Sequence, residues 1–256
     1  MLLKKGSKGE DVKKLQRFLG TIADGVFGNQ TEKLVKEWQK KYDLVVDGIV
    51  GDETWNKMFN TPNFEVIGPG VMYNPIDKHI SKCPNRVIKY LVIHYTAGSS
   101  STGDSESRIR NIFLSRNASA DFIVDDDSIL QVNPNLDDYF CWAVGDGKGK
   151  YGINNKDCIS IEICSNLKKG TTPKYPNHEG WFFTEKSIDN AVYLSKMIMK
   201  TFDIPIERVI RHYDATRKLC PGVIGWNPGE ILDSKTGEKT GLYSDESEWL
   251  KFKSRL

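Results

Sequence analysis

The feature that most constrains this chain is an internal repeat near its start. Asp24, Gly25, Gly28 and Thr31 form D-G-x-x-G-x-x-T, and Asp47, Gly48, Gly51 and Thr54 form it again 23 residues later. Asp-Gly suits a tight turn, and a threonine or the polar residue before it can cap a following helix. Leu34, Val35 and Trp38 follow the first copy at helical spacing, and Val12, Leu15, Phe18 and Leu19 precede it in the same rhythm. The spacing predicts three short helices joined by two equivalent turns, a compact module over residues 1–60.

Beyond it, residues 61–80 hold three prolines and two asparagines without a clear period. They read as a linker over 61–74 leading into a second domain, 75–256. There the pattern alternates. Residues 86–96 (RVIKYLVIHYT) are rich in strand formers, and residues 105–116 have helical spacing. ADFIVDDDSILQV suggests a hairpin on its acidic turn. In CISIEIC, Ile159, Ile161 and Ile163 face one way and Ser160, Glu162 and Cys164 the other. Residues 184–203 form a long amphipathic helix capped by Thr184, IERVIRHYD a short strand ending at His212, and DESEWLKFKSRL a closing helix packing Trp249, Leu250 and Phe252. The expected fold class is α/β: a mixed central β-sheet flanked by helices, with a small three-helix N-terminal domain.

Thirty-six basic against 34 acidic residues leave a net charge of +2, so no whole-chain field argues for nucleic acid. No apolar run is long enough for membrane insertion. The start, MLLKKGSKGEDVKK, is charged almost at once, unlike a secretory signal. The chain therefore reads as made in a cytoplasm without a signal peptide, and as a monomer. Five scattered cysteines read as reduced thiols rather than a disulfide scaffold.

The chemistry gathers in RHYDATRKLCPG, residues 211–222. His212 and Cys220 are eight residues apart, and imidazole and thiolate are ligands that zinc favours. His94, at the end of an apolar strand, can supply a third ligand, which leaves one position open as in catalytic zinc sites. Glu162 lies mid-strand in a run too apolar for a casual surface strand, and a carboxylate there could move protons for a metal-assisted hydrolysis. Lys218 could hold its cation where a tetrahedral intermediate develops charge. His79 and His178, in loop-like segments, read as solvent-exposed.

The repeat, with G-S-K-G-E-D-V-K-K-L-Q before it, resembles the peptidoglycan-binding module of bacterial and phage cell-wall hydrolases. I-H-Y-T at 93–96, S-I-E-I-C at 160–164 and H-Y-D-x-T-x-K-x-C-P at 212–221 resemble the zinc-dependent N-acetylmuramoyl-L-alanine amidases, a family related to the peptidoglycan recognition proteins. That resemblance implies Zn2+ bound by His94, His212 and Cys220, with Glu162 and Lys218 as catalytic residues. It implies a phage or prophage endolysin that acts on peptidoglycan after a holin-type pore releases it. Two positions depart from the family's pattern. Asp121 stands in S-A-D-F where one branch carries its catalytic tyrosine strand, which favours Glu162, and Ala143 replaces a histidine in a later loop. Residues 227–245 look like an insertion that forms a groove wall or a surface loop. Other readings of the same residues are a non-catalytic peptidoglycan-recognition protein, a zinc peptidase cutting stem peptides, and a metal-free hydrolase using Cys220 and His212.

Overall fold

The computed structural model describes residues 2–19, 21, 24–59, 71–98, 105–145 and 151–256. Two compact units divide the chain, residues 1–74 and 75–256. Most of the expected linker, residues 61–70, lies outside the described residues.

In the first unit the apolar spacing yields helices α1 (Glu10–Phe18), α2 (Asn29–Lys41) and α3 (Asp52–Phe59). Val12, Leu15, Phe27, Val35 and Val50 are shielded from water and pack with Trp55 and Met58. Phe18, expected inside, is 40% exposed and meets the Trp38 ring edge-on at 5.9 Å. Gly25 and Gly48 both adopt φ of 76°, a backbone that a Cβ disfavours, which explains the Asp-Gly turns.

The threonines, however, do not cap. Gly28 precedes α2 and contributes no side-chain cap, while Thr31 lies inside the helix. Its hydroxyl receives Gln16. Gln16 Nε2 donates to Asp24 Oδ1 (2.7 Å), the Val26 carbonyl (3.0 Å) and Thr31 Oγ1 (3.2 Å), while Gly25 N–H donates to Gln16 Oε1 (2.8 Å). Gln39 repeats this with Asp47 Oδ1 (2.8 Å), the Ile49 carbonyl (2.9 Å), Thr54 Oγ1 (3.3 Å) and Gly48 N–H (2.9 Å). The repeat is thus two identical polar knots, each centred on a buried glutamine.

A short strand, β1 (Val71–Tyr73), ends the first unit. The second contains β2 (Ile80–Lys82), β3 (Tyr90–Tyr95), β4 (Phe122–Val124), β5 (Ile129–Gln131), β6 (Tyr139–Cys141) and β7 (Cys158–Ile163). After them come β8 (Asn166–Leu167), β9 (Trp181–Phe182), β10 (Val209–Arg211), β11 (Gly229–Leu232) and β12 (Lys239–Ser244). Five strands of this unit lie side by side in the order β5-β4-β7-β3-β10. All neighbours are parallel except β4 and β5, which form the hairpin read from the acidic turn. Strands buried on both faces read as continuous apolar runs, and Leu91, Val92, Ile93, Ile159, Ile161 and Ile163 are fully enclosed.

Helix α4 (Ser105–Ser115) packs on β4 and β5, and α5 (Glu185–Phe202) packs across β3, β4 and β7. Thr184 caps α5 as expected, its Oγ1 accepting from Ser187 N–H at 3.1 Å. A short α6 (His212–Thr216) follows β10, and α7 (Ser247–Ser254) closes the unit. Trp249 and Phe252 of α7 are buried against Trp226, but Leu250 is 62% exposed. Residues three apart share a helix face and residue 250 lies off it. Residues 227–245 fold largely as the β11–β12 antiparallel hairpin. No helix among the described residues is long and apolar enough to cross a membrane.

Candidate metal centre

Parallel strands bring their carboxyl ends to one edge of the sheet, where α/β folds build sites. His94 is the penultimate residue of β3, flanked by β10 on one side and β7 on the other. His212 does not end β10, as its sequence suggests; it opens α6, one residue beyond. Asp214 stabilises that switch by accepting from Arg211 N–H at 2.9 Å and from the Arg211 guanidinium at 2.9 and 2.7 Å. Arg217 then takes a left-handed φ of 70° and turns the chain back. Tyr213 N–H donates to the Cys220 carbonyl at 3.0 Å, which holds the cysteine over the start of α6.

The result gathers His94, His212 and Cys220. One donor atom of each lies within 4.8 Å of the others, and all three residues are buried. Cys220 Sγ is 3.8 Å from His94 Nδ1, and the two imidazole centroids are 4.6 Å apart. Burial, then the charges of His212 and Lys218, holds the His94 imidazole well below its ordinary pKa, so it stays neutral, the form that binds metals. Its Nε2 is buried without a hydrogen-bond partner among the described residues. Two imidazoles and one thiol around a common point fit zinc's donor chemistry and leave a position open.

Glu162 sits beside His94, its register partner across the β3–β7 pair, with Ile123 on its other side. The residue as a whole is half-buried, but its Oε2 is enclosed and has no hydrogen-bond partner among the described residues. Burial pushes its pKa up to about 8, against the opposing pull of Lys218. Lys218 is exposed on the loop between α6 and Cys220, and its charge reaches both Glu162 and His94. All five residues singled out for chemistry therefore fall at one edge of the sheet.

Two neighbours were not read from the sequence. Tyr95 packs edge-on to Trp181 at 5.7 Å, and burial, then the charges of Cys220 and Glu162, raises its phenol pKa. Its hydroxyl occupies the space that a Cβ at Gly222 would take, so the glycine after the Cys-Pro pair is required sterically. Adjacency to His94 and to the Cys-Pro-Gly run was the available signal. His178, expected in solvent, is fully buried. Its Nδ1 accepts from Gly180 N–H at 3.0 Å, its Nε2 lies 3.0 Å from the Thr172 carbonyl, and its ring stacks on Trp181. Its own loop satisfies both ring nitrogens, which permits the burial. His79 is half-buried, with Nδ1 2.7 Å from the Phe113 carbonyl.

Asp121 is also structural. It lies 3.6 Å from Arg86 in a pair with both side chains 1% exposed, and accepts from Ser160 N–H (2.8 Å) and Asn133 Nδ2 (2.6 Å). Ala143 offers only its N–H, to Asn155 Oδ1 at 3.0 Å.

The family model described as N-acetylmuramoyl-L-alanine amidase matches residues 84–223, more than half of the 256. The chain belongs to that amidase family. The matched span contains every residue of the centre described above. A peptidoglycan binding domain model matches residues 8–58, the unit with the two glutamine knots. The N-acetylmuramoyl-L-alanine amidase CwlA of Bacillus subtilis (strain 168) is 31% identical over 166 residues, covering 64% of this chain and 54% of its own. CwlH of the same organism, also named as such an amidase, is 29% identical over 132 residues, covering 52% and 46%. The amidase-family chain thus spans about half the length of these curated relatives. A solved mutant endolysin from Bacillus subtilis is 26% identical, covers 60% of this chain and 90% of its own, and has a TM-score of 0.44.

Proposed function

We propose that this chain is an endolysin-type peptidoglycan hydrolase that cleaves the amide between N-acetylmuramic acid and L-alanine. The observation that carries the reading is the buried His94–His212–Cys220 cluster with the Glu162 carboxyl beside it. Those three ligands would hold Zn2+, which when bound supplies a Lewis acid and makes water acidic near neutral pH.

The chain's own groups perform the rest. Glu162 takes a proton from the water whose oxygen attacks the lactyl carbonyl carbon. It then delivers that proton to the alanine nitrogen as the carbon–nitrogen bond breaks. Enclosure makes this carboxylate a stronger base than an exposed one, and a cation beside it favours its ionised form. Lys218 places positive charge near the carbonyl oxygen as that oxygen becomes anionic. Residues 1–60 would hold the enzyme on the insoluble wall, residues 61–74 would link, and residues 75–256 would react. Tethering raises the local concentration of the reaction domain. On this reading the protein acts as a monomer on the wall, reached through a pore made by a holin-type partner.

Digestion of purified peptidoglycan tests it. The expected products carry new alanine amino groups and no new reducing sugar ends. Glu162→Gln should keep its zinc and lose about 10²- to 10⁴-fold in kcat, the range of a lost proton carrier. New reducing ends, split stem peptides, or full activity in His94→Ala would each refute the reading.

A further inference from the structure

The turn that carries Cys220 is buried and irregular, so its carbonyls need donors from outside any strand or helix ladder. Cys220, Pro221 and Gly222 are all buried. Tyr213 N–H serves the first carbonyl, as described. The Pro221 carbonyl accepts from Asn227 Nδ2. The Gly222 carbonyl accepts from Asn177 N–H at 2.7 Å.

Both asparagines are wholly shielded from solvent, and each keeps a buried Oδ1 with no hydrogen-bond partner among the described residues. A buried amide with an unanswered oxygen costs stability, and an apolar side chain of similar size would avoid that cost. What the two residues supply instead is donors: the Asn227 amide and the Asn177 main-chain N–H both meet the turn beside the thiol. Asn177 does more. It holds a left-handed φ of 55°, its Nδ2 donates to the Glu230 carbonyl at 2.9 Å, and its own carbonyl accepts from Leu232 N–H at 3.1 Å. It thereby ties strand β11 to the ligand turn. Asn227 and β11 both lie beyond the residues that match the amidase family.

We infer that Asn177 and Asn227 are positioning residues for the metal centre, which fix the 220–222 turn and so hold Cys220 Sγ against His94 and His212. This rests on the zinc reading above. The two act through different atoms. Asn227 works through its side-chain amide, and Asn177 through a main-chain N–H aimed by its left-handed backbone. The hairpin outside the family's matched span is in consequence mechanically joined to the centre.

Zinc competition titration against a chromophoric chelator, with cobalt substitution as a spectroscopic readout, tests this on the full chain. Asn227→Leu keeps the volume and removes the donor. It should weaken zinc by about ten- to a hundredfold, as for other groups that orient metal ligands, and should shift the thiolate-to-cobalt charge-transfer band. Asn227→Ala serves in its place should the leucine variant not fold, with the same expectation. Asn177→Val, β-branched, resists the left-handed backbone that aims the N–H, and should weaken zinc in the same direction. Wild-type zinc affinity and an unchanged cobalt spectrum in the Asn227 variants would overturn the inference. So would a lower metal-free melting temperature with the cobalt band unmoved, since that describes a purely structural residue. Wild type that takes up no zinc would overturn the metal reading itself, a distinct pattern from a wild type that binds and variants that match it.

Discussion

A carboxyl group that keeps its proton to about pH 8 makes the stability of the metal-free chain depend on pH. The folded pKa of Glu162 lies above its ordinary value of 4.5, so the fold binds that proton more tightly than the unfolded chain does. Its contribution is fully present below pH 4.5 and is lost as pH rises toward 8. His94 runs the other way: its folded pKa is depressed, so its contribution is complete above 6.5 and lost below. Between pH 6.5 and 8 only the Glu162 contribution of this pair still changes. Metal-free wild type should therefore melt at falling temperature across that window, and Glu162→Gln should fall measurably less. Parallel melting curves for the two proteins would sink the assignment. Glu162 was readable in advance because a carboxylate among isoleucines on a short strand has few inexpensive explanations. Asn177 and Asn227 were not, because N-H-E-G and W-N-P-G read locally as ordinary turns and only the fold reveals what their amides touch.

At the level of elements, strict alternation and capping were legible and side-chain knots were not. Thr184 and the apolar spacing behind it predict α5 almost to its ends, and the alternation at 158–164 predicts β7. His212 misled because Arg211 and Asp214 switch the chain into a short helix by a hydrogen bond that periodicity does not register. The threonines of the repeat misled for a similar reason. They are acceptors for buried glutamines, and those glutamines fall outside the D-G-x-x-G-x-x-T string. Gln16 and Gln39 occupy equivalent environments, so their loss should have equivalent effects. Each alanine substitution removes four hydrogen bonds and leaves the buried Gly25 or Gly48 N–H unanswered. A cost of about 1–3 kcal/mol is expected at either position. Chemical denaturation of the isolated variants would measure it, and one neutral substitution beside one severe one would contradict the equivalence.

For the whole molecule, the decisive fact is how far apart in sequence the centre's parts lie. Cys220 and His94 meet across 126 residues, and they bracket nearly every strand of the sheet. An ion held between them would act as a removable cross-link. In the chain-entropy account, closing a loop of this size takes about 5 kcal/mol of freedom from the unfolded chain for a covalent link. Bound zinc at a hundred times its Kd favours the fold by about 2.7 kcal/mol, so digestion through the unfolded chain should slow by about a hundredfold. Protease time courses with zinc and with chelator measure this, and equal rates would argue against it. A chain starved of metal would then be short-lived as well as inactive, and its lifetime would report the zinc supply of its surroundings.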